Sequence, residues 1–181
     1  MVLGMSLSTY TLVHVLISFL GIGSGVAVMY GFFRSKRLDG LTLFFLVTTI
    51  LTSVTGFGFP FTHLLPSHIL GILSLIALTI AIRARYGGKM RGASRWVYVV
   101  TASISLYFNV FVLVVQSFEK VPALHALAPT QKEPPFAVTQ LVVLALFVVL
   151  TAFAVKRFHP EGTTGKTFYS PVSRGRDKRV A

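Results

Sequence analysis

The sequence predicts an all-α integral membrane bundle of five transmembrane helices, with the N-terminus outside and the C-terminus in the cytoplasm. Three observations carry that fold class. Of 181 residues, 54% are hydrophobic and only 12% charged, whereas a soluble domain is nearer a quarter charged. Several windows run about 18 or more residues without a charge, the length a helix needs to cross a bilayer. Fifteen of the seventeen Lys and Arg residues fall in segments 34–40, 83–95 and 156–181, which a five-span path puts on one side. Short basic loops stay in the cytoplasm, so this asymmetry sets the direction of every span.

The spans follow in order. The first covers about 8–33 and ends at Arg34, Lys36 and Arg37. It is too long for a signal-peptide core and lacks a basic leader, so it is expected to be retained. The second covers about 41–61, and the third covers about 64–82, up to Arg83 and Arg85. The fourth covers about 96–118 and opens on Trp96 and Tyr98, side chains suited to an interface. The fifth covers about 136–155 and ends at Lys156 and Arg157. One transmembrane domain over 1–157 is thus followed by a basic tail, 158–181, whose Gly, Ser and Thr content predicts disorder. Its Lys and Arg cluster predicts contact with anionic lipid. In the outer loop 119–135, V-P-A-L-H-A-L reads as a short turn of helix opening at Pro122, a candidate lid.

Composition also excludes. With no cysteine there are no disulfides, thiolate metal sites, iron–sulfur clusters or covalently attached c-type haem. The net charge of +12 lies between apolar runs and in the tail, a pattern of membrane topology and not of nucleic-acid binding. All five acids, Asp39, Glu119, Glu133, Glu161 and Asp177, lie in loops or tail. That argues against a carboxylate proton pump or a sodium-coupled transporter. No hydrolase triad, H-E-x-x-H, P-loop or dinucleotide loop occurs, so the reading leans away from an enzyme.

The titratable groups that remain are histidines. His14, His63, His68 and His125 fall on or near the outer side, and His159 on the inner. At about 1.5 Å rise per residue, His14 and His68 both reach about 8–9 Å into the outer leaflet. A polar ring at that depth needs a partner and is a functional candidate. Small or polar residues accompany them. His14, Ser18, Gly21 and Gly25 share a face of the first span, and His68, Gly71 and Ser74 a face of the third. Ser105, Asn109 and Gln116 line the fourth, Thr48, Thr52 and Thr55 the second, and Gln140 lies near the outer end of the fifth. Gly21-xxx-Gly25 and the Thr/Ser run also suit plain helix packing, where small residues let backbones approach. His63 and His125 read as interfacial residues without a further role.

The stretches TLVHVLISFLGIGSG, TSVTGFGFPF, SLYFNVFVLVVQSF and VPALHALAPTQKEPPF resemble a family of small multi-pass bacterial membrane proteins, labelled only as hypothetical membrane proteins. The resemblance covers about residues 8–157. It implies a bacterial inner membrane and an all-helical fold, and it implies no activity and no site residues.

Three functions are expected on these grounds. The first is a redox membrane protein holding b-type haem or quinone through His14 and His68, those two being the candidate metal ligands. Gly21 and Gly71 would give the ring room, and Asn109, Gln116 and Gln140 would supply polar contacts. The second is a non-catalytic accessory or assembly subunit packed against a membrane-protein partner. The third is a small-molecule channel or transporter with its mouth at the outer polar cluster.

Overall fold

The computed structural model describes residues 4–59 and 66–160. His63 and the tail from 161 onward lie outside the described residues.

The helices are α1 Leu7–Phe33, α2 Asp39–Gly56, α3 Pro66–Ile82, α4 Ala93–Lys120, α5 Pro122–Leu127 and α6 Pro134–Arg157. A π-helical turn, Arg83–Gly87, prolongs α3 without a break. Among the described residues five helices are long and apolar enough to cross a membrane: α1, α2, α3 with its π turn, α4 and α6.

Local chemistry sets the helix ends. Ser6 caps α1, its hydroxyl oxygen accepting from the Thr9 N–H at 3.1 Å. Pro122 and Pro134 open α5 and α6, where a missing N–H costs nothing. Glu133 precedes α6 and accepts from the Thr130 N–H at 3.2 Å, the Thr130 hydroxyl at 2.8 Å and the Lys132 N–H at 3.0 Å.

Two ends depart from the sequence reading. α2 stops at Gly56, not near 61. Gly56 and Gly58 are poor helix formers, and Phe59 precedes a proline, which disfavours the α region. The third span does not stop at Arg83 but runs on to Gly87, carrying Arg85 into the protein interior.

α4 is the central helix and touches α1, α2, α3, α5 and α6. Around it, neighbours pack in the order α1, α2, α3, with α6 joined to α4 and α1. α1 and α3 share no extended interface. The apolar core lies in the half nearest the basic loops. It includes Val28, Met29 and Phe32 of α1, Phe45 and Leu46 of α2, Leu78 and Ala81 of α3, Tyr98, Val99 and Ala102 of α4, and Ala154 and Phe158 at the end of α6. Phe32 meets Tyr98 and Phe158 edge-on at centroid distances of 5.5 and 4.9 Å. Such pairs add roughly 0.5–1.5 kcal/mol beyond burial.

Gly25 shows the close approach expected of a packing face. A β-carbon there would lie 2.6 Å from Leu106 Cδ1 and 2.8 Å from Phe45 Cε2. Large apolar side chains on the outside of α1, α2, α3 and α6 are exposed, as lipid-facing surfaces are.

Candidate functional site

Both candidate histidines meet the C-terminal end of α2. His14 Nδ1 lies 2.7 Å from the Thr55 hydroxyl oxygen. That hydroxyl has one proton, and it donates to the Leu51 carbonyl at 2.7 Å. The His14 contact therefore has Nδ1–H as donor and the Thr55 oxygen as acceptor. This assigns the tautomer by the bonding around it: Nδ1 carries the proton and Nε2 keeps its lone pair. Among the described residues nothing donates to Nε2.

The surroundings of His14 are built from the same helix end. The Tyr10 hydroxyl donates to the Thr55 carbonyl at 2.7 Å, one turn above His14 on α1. Phe59 stands edge-on to both rings, at centroid distances of 5.1 Å from Tyr10 and 5.2 Å from His14. Gly58 makes this possible, since a β-carbon there would lie 2.1 Å from the Tyr10 oxygen. The ring of His14 is itself half-buried. It sits seven residues below the start of α1, a depth of about 10 Å along the helix.

His68 lies elsewhere on the same helix end. It is buried and stacks on Phe57, with ring centroids 5.7 Å apart and planes within 16°. Thr55 and Phe57 are two residues apart, about 200° around a helix, and Phe57 keeps helical torsions. The two histidines are thus held on different sides of α2, at about one level.

The other expected site residues sit as follows. Gly21 faces the middle of the bundle, where a β-carbon would lie 3.4–3.5 Å from the Thr48 and Thr49 hydroxyls and the Asn109 amide. Asn109 is buried and donates to Thr49 at 3.4 Å. Thr49 is six residues below Thr55, so this pair lies about 9 Å deeper than His14. Gly71 lies against the Phe57 ring, 3.0 Å from its would-be β-carbon. Gln140 is buried, its amide donating to the Phe111 carbonyl at 3.3 Å and its carbonyl oxygen unpaired. Gln116 is exposed on α4. Ser53 and Ser74 bond across α2 and α3 at 3.3 Å. The room expected for a macrocycle beside Gly21 and Gly71 is therefore filled by Thr48, Thr49, Asn109 and Phe57. Among the described residues no three His, Cys, Asp or Glu side chains gather as a metal site. These donor positions do not fit a bis-His haem.

α5 contacts α4 and has no buried residue, so it flanks the bundle and does not plug it. His125 and His159 are exposed.

A second polar site stands at the basic end, and reading the sequence for topology missed it. Arg85 has only 2% of its surface exposed. Its Nη2 donates to Asp39 Oδ1 at 2.5 Å and to the Arg37 carbonyl at 3.1 Å. Its guanidinium carbon lies 5.0 Å from the Tyr98 ring centre, a cation–π contact. Among the described residues its buried Nε has no hydrogen-bond partner. The signal was present: Ser74, Leu78, Ala81 and Arg85 are spaced four, three and four residues apart, one inward face of a helix. Between the two polar levels, Phe45, Leu46, Leu78 and Ala102 fill the interior.

Comparison with known proteins found nothing similar: no protein-family model matches the chain, and neither do curated proteins or solved structures.

Proposed function

We propose that this chain is a multi-pass protein of a bacterial inner membrane that binds a lipid-soluble ligand of the quinol class at His14, near its outer face. The observation that carries this reading is the state of the imidazole. Nδ1–H is committed to Thr55, whose own proton goes to Leu51, so Nε2 is an acceptor with no donor among the described residues. An acceptor about 10 Å down a membrane helix is costly unless a donor meets it. A quinol hydroxyl supplies that donor and reaches it from the bilayer. A quinone carbonyl would need a donor instead, so the neutral ring favours the reduced form. Phe59, half-buried beside His14, gives a flat wall for an aromatic headgroup to pack against. The role proposed is binding, with no bond made or broken by this chain. The basic end lies in the cytoplasm on this reading, as the Lys and Arg distribution directs.

The test titrates a short-chain ubiquinol, held reduced, into the purified full chain and follows thermal unfolding. Ligand that binds the folded state raises the midpoint. His14→Ala and Thr55→Val each weaken binding roughly 2- to 12-fold, the net worth of one hydrogen bond. Equal stabilisation of wild type and His14→Ala overturns the reading. A Soret band lost on His14→Ala or His68→Ala would replace quinol with haem.

One observation favours a second reading, an accessory subunit. Only 17% of the α6 span is buried, against 39% for α4. A partner helix against α6 would raise that share, and co-purification of one membrane protein lost on substitution of Leu141 or Val148 would support it.

A further inference from the structure

A groove of about 250 Å³ opens between the basic ends of α1 and α6, lined by Phe33, Leu150, Phe153 and Arg157. Leu150, Phe153 and Arg157 are three and four residues apart and share one face of α6. One arginine lines the groove, and a second adjoins a lining residue in sequence. Arg157 lines it, and Arg34 follows Phe33 on α1, its guanidinium 5.9 Å from the exposed Tyr30 ring. The helix ends that carry them are tied together. The Ser35 hydroxyl donates to the Arg157 carbonyl at 2.5 Å and accepts from the His159 N–H at 3.1 Å.

Charge points to the occupant. Among the described residues Asp39 is the one carboxylate at this end, and it is taken by Arg85 at 2.5 Å and Arg37 at 3.4 Å. Among the described residues Arg34 and Arg157 form no ion pair, and both are exposed. The apolar walls face where acyl chains run, and the arginines stand where headgroup phosphates begin.

We propose that the face between α1 and α6 binds one anionic phospholipid. An acyl chain lies along Phe33, Leu150 and Phe153, and the phosphate is held between Arg34 and Arg157. Arg157 is the specificity-determining residue, since it alone touches both groove and headgroup level. This site is independent of the His14 end.

The test uses the full chain purified in detergent with equal phosphatidylglycerol and phosphatidylcholine, and counts retained lipid by native mass spectrometry. Wild type retains phosphatidylglycerol preferentially. Arg157→Gln and Arg34→Gln each lower that preference about fivefold, the worth of one basic residue at an anionic surface. Arg83→Gln, also exposed at this end but on α3, changes it less than twofold. Leu150→Trp fills the groove and lowers retention of the lipid; should that chain fail to insert, the arginine variants decide, since neither arginine side chain is buried. Three results overturn the proposal. One is a preference unchanged in the Arg34→Gln/Arg157→Gln double variant. Another is an equal loss in Arg83→Gln, which would reduce the effect to net charge. The third is displacement of the lipid by soluble glycerol phosphate, which would make this a site for free phosphate.

Discussion

Neutralising Asp39 should destabilise the bundle through a residue it touches, Arg85. In Asp39→Asn the amide keeps the side chain's shape but removes the charge opposite a guanidinium that is 2% exposed. Removing one partner of a fully buried ion pair costs about 3–5 kcal/mol, because the other charge stays buried and unpaired. The Asp39 side chain is 68% exposed, so water screens the pair and the figure must be discounted. The Arg37 carbonyl and the Tyr98 ring stay with Arg85 as partial compensation. Asp39 also sits in the first turn of α2, where a negative charge contributes about 0.3–1 kcal/mol through the helix dipole. The sum for Asp39→Asn is a loss of about 1–3 kcal/mol. The assay is reversible unfolding in mixed micelles, run as a double-mutant cycle with Arg85→Met. If the cost comes from the stranded guanidinium, the double variant is more stable than the additive sum of the two singles. A loss below about 0.5 kcal/mol for Asp39→Asn, or strict additivity, would refute the reasoning.

Other predictions test the packing, the direction and the outer end. Gly25→Ala should cost about 1–3 kcal/mol by overpacking against Leu106 and Phe45, while Gly23→Ala, with nothing within 4 Å, should be neutral or better in the same unfolding assay. A cysteine at Thr130, exposed in the outer loop, should label from the periplasm, and a reporter fused after Ala181 should report cytoplasm; the reverse pattern would invert the bundle. Thr55→Val should perturb the His14 ring in nitrogen NMR, mixing its tautomers as the Nδ1–H loses its acceptor; an unchanged spectrum would mean that another group holds the ring.

Much of the fold was legible because apolar length and basic loops are one-dimensional signals. Each of the five long helices overlaps the run expected for it, and Pro122 opens the short helix expected in the loop 119–135. The misplaced ends have physical causes. Arg83 and Arg85 read as a stop because arginine in a span is costly. That rule fails where a carboxylate, a carbonyl and an aromatic ring meet the guanidinium, and those partners come from α2, the 34–38 loop and α4. No window of sequence contains them together. Thr55 was visible as a member of a threonine stripe. Its role depends on α1 packing against α2, and the stripe alone does not say which neighbour it faces.

The histidine pair shows the same limit more sharply. Counting residues gives depth, and by depth His14 and His68 are neighbours: both meet the end of α2 within the three residues Thr55 to Phe57. Depth carries no azimuth. The short step from Thr55 to Phe57 turns about 200°, so one helix end faces α1 with a hydroxyl and α3 with a phenyl ring. Each histidine finds a partner of the kind it needs at that position. His14, half-buried, is hydrogen-bonded to Thr55, and His68, buried, stacks on Phe57. A shared iron would require both rings to leave those partners and meet at about 2 Å from one metal. A ligand that needs only one acceptor requires no such movement. The hydroxyl-bearing ligand proposed for His14 thus depends on where α2 ends, and α2 ends there because Gly56 and Gly58 stand before Pro60.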